Sequence, residues 1–413
     1  MSANPRPMRV LLGAFGDPGH AFPMIALGRA LRARGHEVTL QTWARWREHV
    51  HAEGIGFAPA PEYSVFPSGT EPLDFYSAVA RASTDTLPLV RELAPDVVVS
   101  DILTLAPALA AELAGVRWAT LIPHVFPQGE RGFPVYSVGA RLPRSAAGRA
   151  LWRAADAAVA RGLERGRVEL NGVRAQLGLA PLAHVHGGIS RDLTLIATLP
   201  QLEYPRRWPS WAHVVGPLMW EPPAHDVELP AGERPLVLIA PSTAQDPGQR
   251  MLAAALRALA HADVRVLATY NRRLPPRPLR VPAGARVVDW VSYSRTMRHC
   301  DVVVCHAGHG TLVRALASGC AVVACPAVGD MSENAARLDW SGAGVRVPRR
   351  FVTPRALQRA IERALGEPAI RARARELAGW SEQHDSGLTA AILLEAFSGR
   401  ELRGWDSNPQ HLG

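Results

Sequence analysis

The sequence contains no lysine: all 46 basic residues are arginine, set against 37 acidic residues for a formal net charge of +9. An arginine-only basic set, beside 35 glycines, 35 prolines and abundant alanine, reflects GC-rich codon usage. The arginines are spread mostly singly or in twos, so the localised basic patch that nucleic-acid recognition needs is missing. Weak attraction to anionic membrane surfaces is the most this charge allows. Aromatic residues make up only 6% of the chain, too few for a base-stacking platform along a single strand. Cysteine is equally scarce, with four residues between Cys300 and Cys325 in two C-x4-C spacings. Four cysteines are no disulfide framework, and zinc pairs favour shorter C-x2-C gaps. Both pairs bracket apolar runs, CDVVVC and CAVVAC, and read as core thiols of buried strands in a reducing compartment. No apolar run is long enough to cross a bilayer, and MSANPRPMRVLLGAFG lacks the apolar core of a signal peptide. The expectation is a soluble, cytoplasmic protein.

What is present is an ordinary globular composition, 47% hydrophobic and 20% charged, over 413 residues, a length for two or three domains. Apolar strands alternate with amphipathic stretches, twice over. MRVLLGAFG (8–16), EVTLQTW, DVVVSD (96–101), WATLIPH (118–124) and LTLIATLP (193–200) read as strands of the first half. A helix is expected from Phe22 to Arg34, and a helical lobe over 133–180. The second series runs through PLVLIAPS (235–242), VRVLATY (264–270), ARVVDWV (285–291), DVVVCHAGHG (301–310), CAVVACP (320–326) and GVRVP (344–348). Such alternation predicts an α/β chain with two Rossmann-like, doubly wound parallel-sheet domains facing across a cleft. The expected limits are an N-terminal domain at 1–216, a proline-rich linker at 217–234 and a C-terminal domain at 235–380. A helix at 381–398 is expected to pack back on the first domain, ahead of a disordered tail at 399–413.

Three constellations carry chemistry. HAGHGT, from His306 to Thr311, joins a buried strand to a helix. Gly308 and Gly310 permit close backbone approach, and the helix start offers free N–H groups and a positive dipole end to a phosphate. The same turn also serves as a plain strand-to-helix connection. After the next strand comes PAVGDMSENAARL, with Asp330 in the loop and Ser332 placed as a helix cap; Asp330 can accept from two sugar hydroxyls or simply favour a helix start. In the first half, GDPGHAFP puts His20 at the carboxyl end of the first strand, and Asp101 ends another strand on the same edge. A His–Asp hydrogen bond there would give an oriented general base, although Asp at a strand end is also a routine cap.

These pieces together resemble the family 1 glycosyltransferases of the GT-B fold, above all the bacterial natural-product enzymes. The resemblance spans about residues 8–398 and is strongest from Val288 to Arg346. By position it implies that His306, Gly308, Gly310 and Thr311 hold a donor diphosphate, that Trp290 stacks on the base with Val291 offering backbone hydrogen bonds, and that Ser242 and Thr243 reach the phosphates. Asp330 and Met331 stand at the sugar-binding pair, His20 at the catalytic base and Asp101 at its partner. Three positions depart from the pattern. Met331 replaces a common Gln, Arg314 stands where plant relatives place a ribose-holding Glu, and Tyr293 replaces a Gln.

The resemblance implies an inverting enzyme that moves a sugar from a UDP- or dTDP-sugar to a hydroxyl of a small, apolar acceptor, with neither metal nor cofactor. The acceptor would lie against the 60–80 and 124–180 segments, near Phe66, Phe75, Tyr76, Phe126, Phe133 and Tyr136, in a monomer or homodimer. Three rivals are a transferase for lipid-linked acceptors at a membrane surface, a nucleotide-sugar epimerase, and a non-catalytic partner of another transferase.

Overall fold

A computed structural model describes residues 7–61, 75–242, 246, 248–327 and 329–399. The first half folds into a seven-stranded parallel sheet of β1 (Arg9–Gly13), β2 (Glu37–Thr42), β3 (Gly56–Pro59), β4 (Val97–Asp101), β5 (Trp118–Ile122), β6 (Thr194–Ile196) and β7 (Ala212–Val214), in the order β3-β2-β1-β4-β5-β6-β7. The second half gives a six-stranded parallel sheet of β8 (Leu236–Ala240), β9 (Arg265–Thr269), β10 (Arg286–Val288), β11 (Val302–Cys305), β12 (Ala321–Ala324) and β13 (Gly344–Arg346), in the order β10-β9-β8-β11-β12-β13. The expected doubly wound α/β architecture is therefore present in both halves. In each sheet the strand order reverses once, between β1 and β4 and between β8 and β11. The crevice at the carboxyl ends of such a pair is where open α/β sheets bind ligands.

The central strands are buried along their whole length because helices cover both faces. VVVSD of β4, LVLIA of β8 and VVVC of β11 are buried at every position. All four cysteines are free and buried among these strands, and burial pushes the thiols of Cys300 and Cys305 up to about 12.

The structure corrects several details. The first helix is longer than expected, Pro18–Ala33, because Pro18 at its start already has the helical φ. The 133–180 segment is helical only over Ala146–Gln176, since Gly139 at φ 73° and the prolines Pro134 and Pro143 keep the chain before it irregular. The short edge strands β3 and β7, absent from the sequence reading, lie outside its long apolar runs. The proline-rich segment carries no regular structure, yet Leu218 and Trp220 are buried in the first core while Val227 and Leu229 pack on the second. The tail expected at 399–413 lies, apart from Gly399, outside the described residues.

The helix Ser386–Phe397 returns to the first domain and packs on Pro18–Ala33. Its Glu395, 1% exposed, accepts from Arg34 Nε at 2.6 Å, Arg34 Nη2 at 2.8 Å and His36 Nε2 at 2.7 Å. His36 Nδ1 in turn accepts from the backbone N–H of Met8 at 3.2 Å, which fixes its tautomer. Replacing Glu395 by Ala strands a buried cluster and is expected to cost about 3–5 kcal/mol in chemical denaturation. Burial pushes the Glu395 carboxyl up, but the bonds from Arg34 and His36 outweigh it and hold the group below its ordinary 4.5. A depressed folded value stabilises above the unfolded one and is lost as pH falls through it. Wild type should therefore lose stability more steeply below pH 4.5 than Glu395→Gln, which thermal unfolding across acid pH would show.

Candidate functional site

His20 and Asp101 meet at the first reversal point. His20 lies in the opening turn of Pro18–Ala33, directly after β1, and Asp101 is the last residue of β4, β1's neighbour. His20 Nδ1 stands 2.7 Å from Asp101 Oδ2. Asp101 is fully buried, and its other oxygen accepts from the Leu103 N–H at 2.6 Å, so the carboxylate cannot swing away. With Nδ1–H donated to Asp101, Nε2 of His20 is left as an oriented lone pair. Burial pulls the His20 pKa down, but the charge and hydrogen bond of Asp101 outweigh it and leave the ring above its ordinary 6.5.

The second reversal point gathers the other motif. Ser242 is buried just beyond β8, and His306 follows β11; Thr243 lies outside the described residues. The His306 ring sits directly over Gly308, where an added Cβ would come within 2.3 Å of Nε2, so a side chain there would push the ring aside. Gly308 caps the helix His309–Ala317, and at Gly310 an added Cβ would meet nothing within 4 Å, so the helix start is open to a ligand. Thr311 lies half-buried in that first turn. Burial lowers the His306 pKa, and its contact to the Ala240 carbonyl is long, 3.5 Å. The ring is thus neutral and weakly held, able to turn an N–H to an anion.

Around this turn lie the remaining residues that sequence reasoning singled out. Trp290 follows β10, with Arg272 stacked 4.7 Å from its ring centroid and Tyr293 beside it; Val291 is buried. Asp330 does not sit in a loop before a Ser332 cap. It is the first residue of the helix Asp330–Ser341, after Gly329 at φ 61°, a backbone angle glycine adopts freely. Asn334, one turn on, donates to the Ala307 carbonyl at 3.1 Å and stands 3.5 Å from Asp330 Oδ2, tying the carboxylate to the HAGHGT turn. Met331 packs, partly buried, against the second core. Arg314 donates to the Trp220 carbonyl at 3.1 Å and faces Glu221, whose carboxylate is capped by Ser292 and Ser294.

The two edges face one another. Asp330 acts electrostatically on His20, His124, Tyr136 and His306. A buried ion-pair triad joins the domains beside it: Arg337 Nη1 donates to Glu203 Oε2 at 2.6 Å, and its Nε to Glu333 Oε1 at 2.9 Å, with all three side chains at most 4% exposed. Sequence reasoning missed His124, His309, Asn334 and this triad. The visible signal was position, since His124 ends the strand WATLIPH on the same edge as Asp101. Phe126 does not line the cleft: it is fully buried against Trp208 and Trp211, with the Arg206 guanidinium 4.7 Å above its ring. Phe66 lies outside the described residues. Among the described residues no cluster of three or more His, Cys, Asp or Glu has metal-binding geometry, and no helix is long and apolar enough to cross a membrane.

Two parallel-sheet domains with a glycine-rich strand-to-helix turn on one lip and a His–Asp dyad on the other are the arrangement of the GT-B fold. The family described as "Erythromycin biosynthesis protein CIII-like, C-terminal domain" matches residues 253–384. The chain is 30% identical to the 4'-demethylrebeccamycin synthase of Lentzea aerocolonigenes, over 94% of this chain and 99% of that one. It is 29% identical to the O-mycaminosyltylonolide 6-deoxyallosyltransferase of Streptomyces fradiae, over 95% and 98%. Its fold matches the glycosyltransferase VinC, solved in complex with dTDP, at a TM-score of 0.70 and 20% identity over 95% of this chain and 100% of that one. The chain belongs to the family 1 glycosyltransferases of natural-product type, and it is an enzyme of that class.

The dyad makes one prediction independent of substrate. Asp101→Asn removes the charge that raises the His20 pKa, so that pKa should fall. An NMR titration of the imidazole should show this, and an unmoved midpoint would mean that Asp101 does not set it.

Proposed function

We propose that the enzyme inverts the anomeric centre of a nucleotide-linked deoxysugar, in a direct displacement by a hydroxyl of a largely apolar acceptor. The observation that carries this reading is the His20–Asp101 pair at 2.7 Å, facing Asp330 and the HAGHGT turn. His20 Nε2 would take the acceptor proton as the oxygen attacks, while Asp101 orients the ring and balances the imidazolium. The sugar–phosphate bond breaks on the opposite face, and the departing diphosphate is met by His306 and the N-terminal end of His309–Ala317. That positive end supplies in place what a metal ion would otherwise bring.

Support for the donor class comes from two directions. VinC is described with dTDP, and the S. fradiae relative is named for a 6-deoxyallosyl group. In this chain Met331 stands beside Asp330 and packs against apolar side chains. A hydroxyl set against a thioether without a partner costs about 1–3 kcal/mol, whereas a deoxygenated carbon gains apolar contact. The acceptor would lie on the first domain's wall, where Phe133 remains available and Phe126 does not.

His20→Ala is expected to lower transfer by about 100- to 10,000-fold while UDP and dTDP still bind as in the wild type. Turnover retained within about threefold would remove His20 from the role of base. His306→Ala should weaken nucleotide diphosphate binding by about 1.5–3 kcal/mol in calorimetry, and EDTA should leave turnover unchanged. In competition, a dTDP-6-deoxyhexose should outrun UDP-glucose by about tenfold in kcat/KM, and Met331→Gln should narrow that gap. A wild type that prefers UDP-glucose, unaltered by Met331→Gln, would show that Met331 does not read the sugar.

A further inference from the structure

The proposed reaction leaves a second cleft histidine without a task. His124 follows β5, and Tyr136 reaches it from the irregular stretch before Ala146–Gln176. His124 Nδ1 stands 2.8 Å from the Val125 carbonyl oxygen, which can only accept. Nδ1 therefore carries the proton, and Nε2 presents a bare lone pair. Tyr136 Oη lies 3.3 Å from that same Nδ1, where it too can only accept, so its own O–H is free to donate elsewhere. Both groups hold these forms at neutral pH. Burial pulls the His124 pKa below 6.5, and burial together with Asp330 keeps the Tyr136 phenol well above 10. Among the described residues nothing bonds His124 Nε2 or receives the Tyr136 proton.

One acceptor and one donor thus sit side by side on the first domain's wall, within the field of Asp330 on the other. On the second domain's side stand His309 and Asn334. His309 is only 7% exposed, and hydrogen bonds to the Ala197 carbonyl and the Asn334 side chain act on its ring. Burial drives the His309 pKa down to about 3, so the ring is neutral and carries one donor and one acceptor.

We propose that His124 and Tyr136 form the first domain's half of the sugar subsite and read a single hydroxyl of the transferred sugar. That hydroxyl donates to His124 Nε2 and accepts from the Tyr136 O–H, while Asp330 holds the ring from the opposite wall. An alcohol is the group that matches this pair through one atom. A carboxylate has no proton for Nε2, and an ammonium has no lone pair for the phenol. The two walls then divide the ring: Met331 accepts the deoxygenated edge, and His124 with Tyr136 requires oxygen on the other. This inference rests on the reading of Asp330 as the sugar-holding carboxylate.

The test compares dTDP, dTDP-glucose and dTDP-6-deoxyglucose in calorimetric titrations of the full chain. Wild type is set beside His124→Phe, Tyr136→Phe, their double variant and His124→Gln. Each Phe variant should weaken the tighter sugar nucleotide about tenfold and leave dTDP within twofold. Because both groups serve one hydroxyl, the double variant should lose little more than the worse single, and His124→Gln, which keeps an acceptor, should recover most of the loss. A sugar-nucleotide-to-dTDP affinity ratio unmoved by either Phe variant overturns the proposal. So does a parallel loss for dTDP itself, or a wild type to which neither sugar adds affinity. If neither dTDP nor UDP binds the wild type, the donor reading itself fails, an outcome distinct from bound nucleotides with an unmoved ratio.

Discussion

Arg337 holds the cleft in its shape. Its guanidinium is buried between Glu203, which follows β6 of the first domain, and Glu333 on its own helix in the second. Glu203 in turn accepts from the Phe126 N–H at 2.6 Å, so the same carboxylate fixes the start of the loop that carries Tyr136. Stripping three charges of water is costly and is balanced only when each is bonded well. An opening of the interface at this point would separate them in a nearly dry setting. Since Asp330 begins the helix that bears Arg337, the triad sets the distance between Asp330 and the first domain's wall. The geometry on which Asp330, His20 and His124 depend is therefore determined away from the reacting groups themselves.

Within that frame, four histidines occupy one cleft and burial penalises the charge of each. Only His20 has a bonded carboxylate, and only its pKa is raised. His124, His306 and His309 lack one and are all lowered. Environments that push titratable groups apart are how one site separates a base from neutral hydrogen-bonding groups. By this criterion a single histidine is suited to take a proton, while the other three remain neutral at working pH.

The parts legible in the sequence were those written in contiguous residues. Runs such as DVVVSD and DVVVC name buried strands directly, and the residue that ends each run falls on the ligand-binding edge by the geometry of parallel sheets. That logic reached His20, Asp101, His306 and Asp330. It failed where function depends on contacts between distant segments. Glu203, Glu333 and Arg337 each look like ordinary surface charge until β6 and the helix Asp330–Ser341 meet. Phe126 was expected at the acceptor because aromatic residues in loops often line pockets, but Trp208, Trp211 and Arg206, some 80 residues away, enclose it. Ser332 resembled a cap by residue type, yet Gly329 at positive φ let the helix begin three residues earlier.

The proposed displacement separates charge in a fixed direction, and the cleft is polarised to receive it. A proton moves toward the first domain and a diphosphate charge toward the second. On the first side Asp101 is buried and already bonded to His20, so protonation of the ring sets a positive charge against its carboxylate and requires no rearrangement. On the second side the helix His309–Ala317 directs its free N–H groups outward, with no acidic residue in its first turn to cancel them. Reversing these roles would place the diphosphate against Asp101 and the proton against a helix start, both opposed electrostatically. The polarity that favours transfer in one orientation thus disfavours binding the donor in the other. It follows from which reversal point ends in a carboxylate and which ends in a glycine-rich helix start.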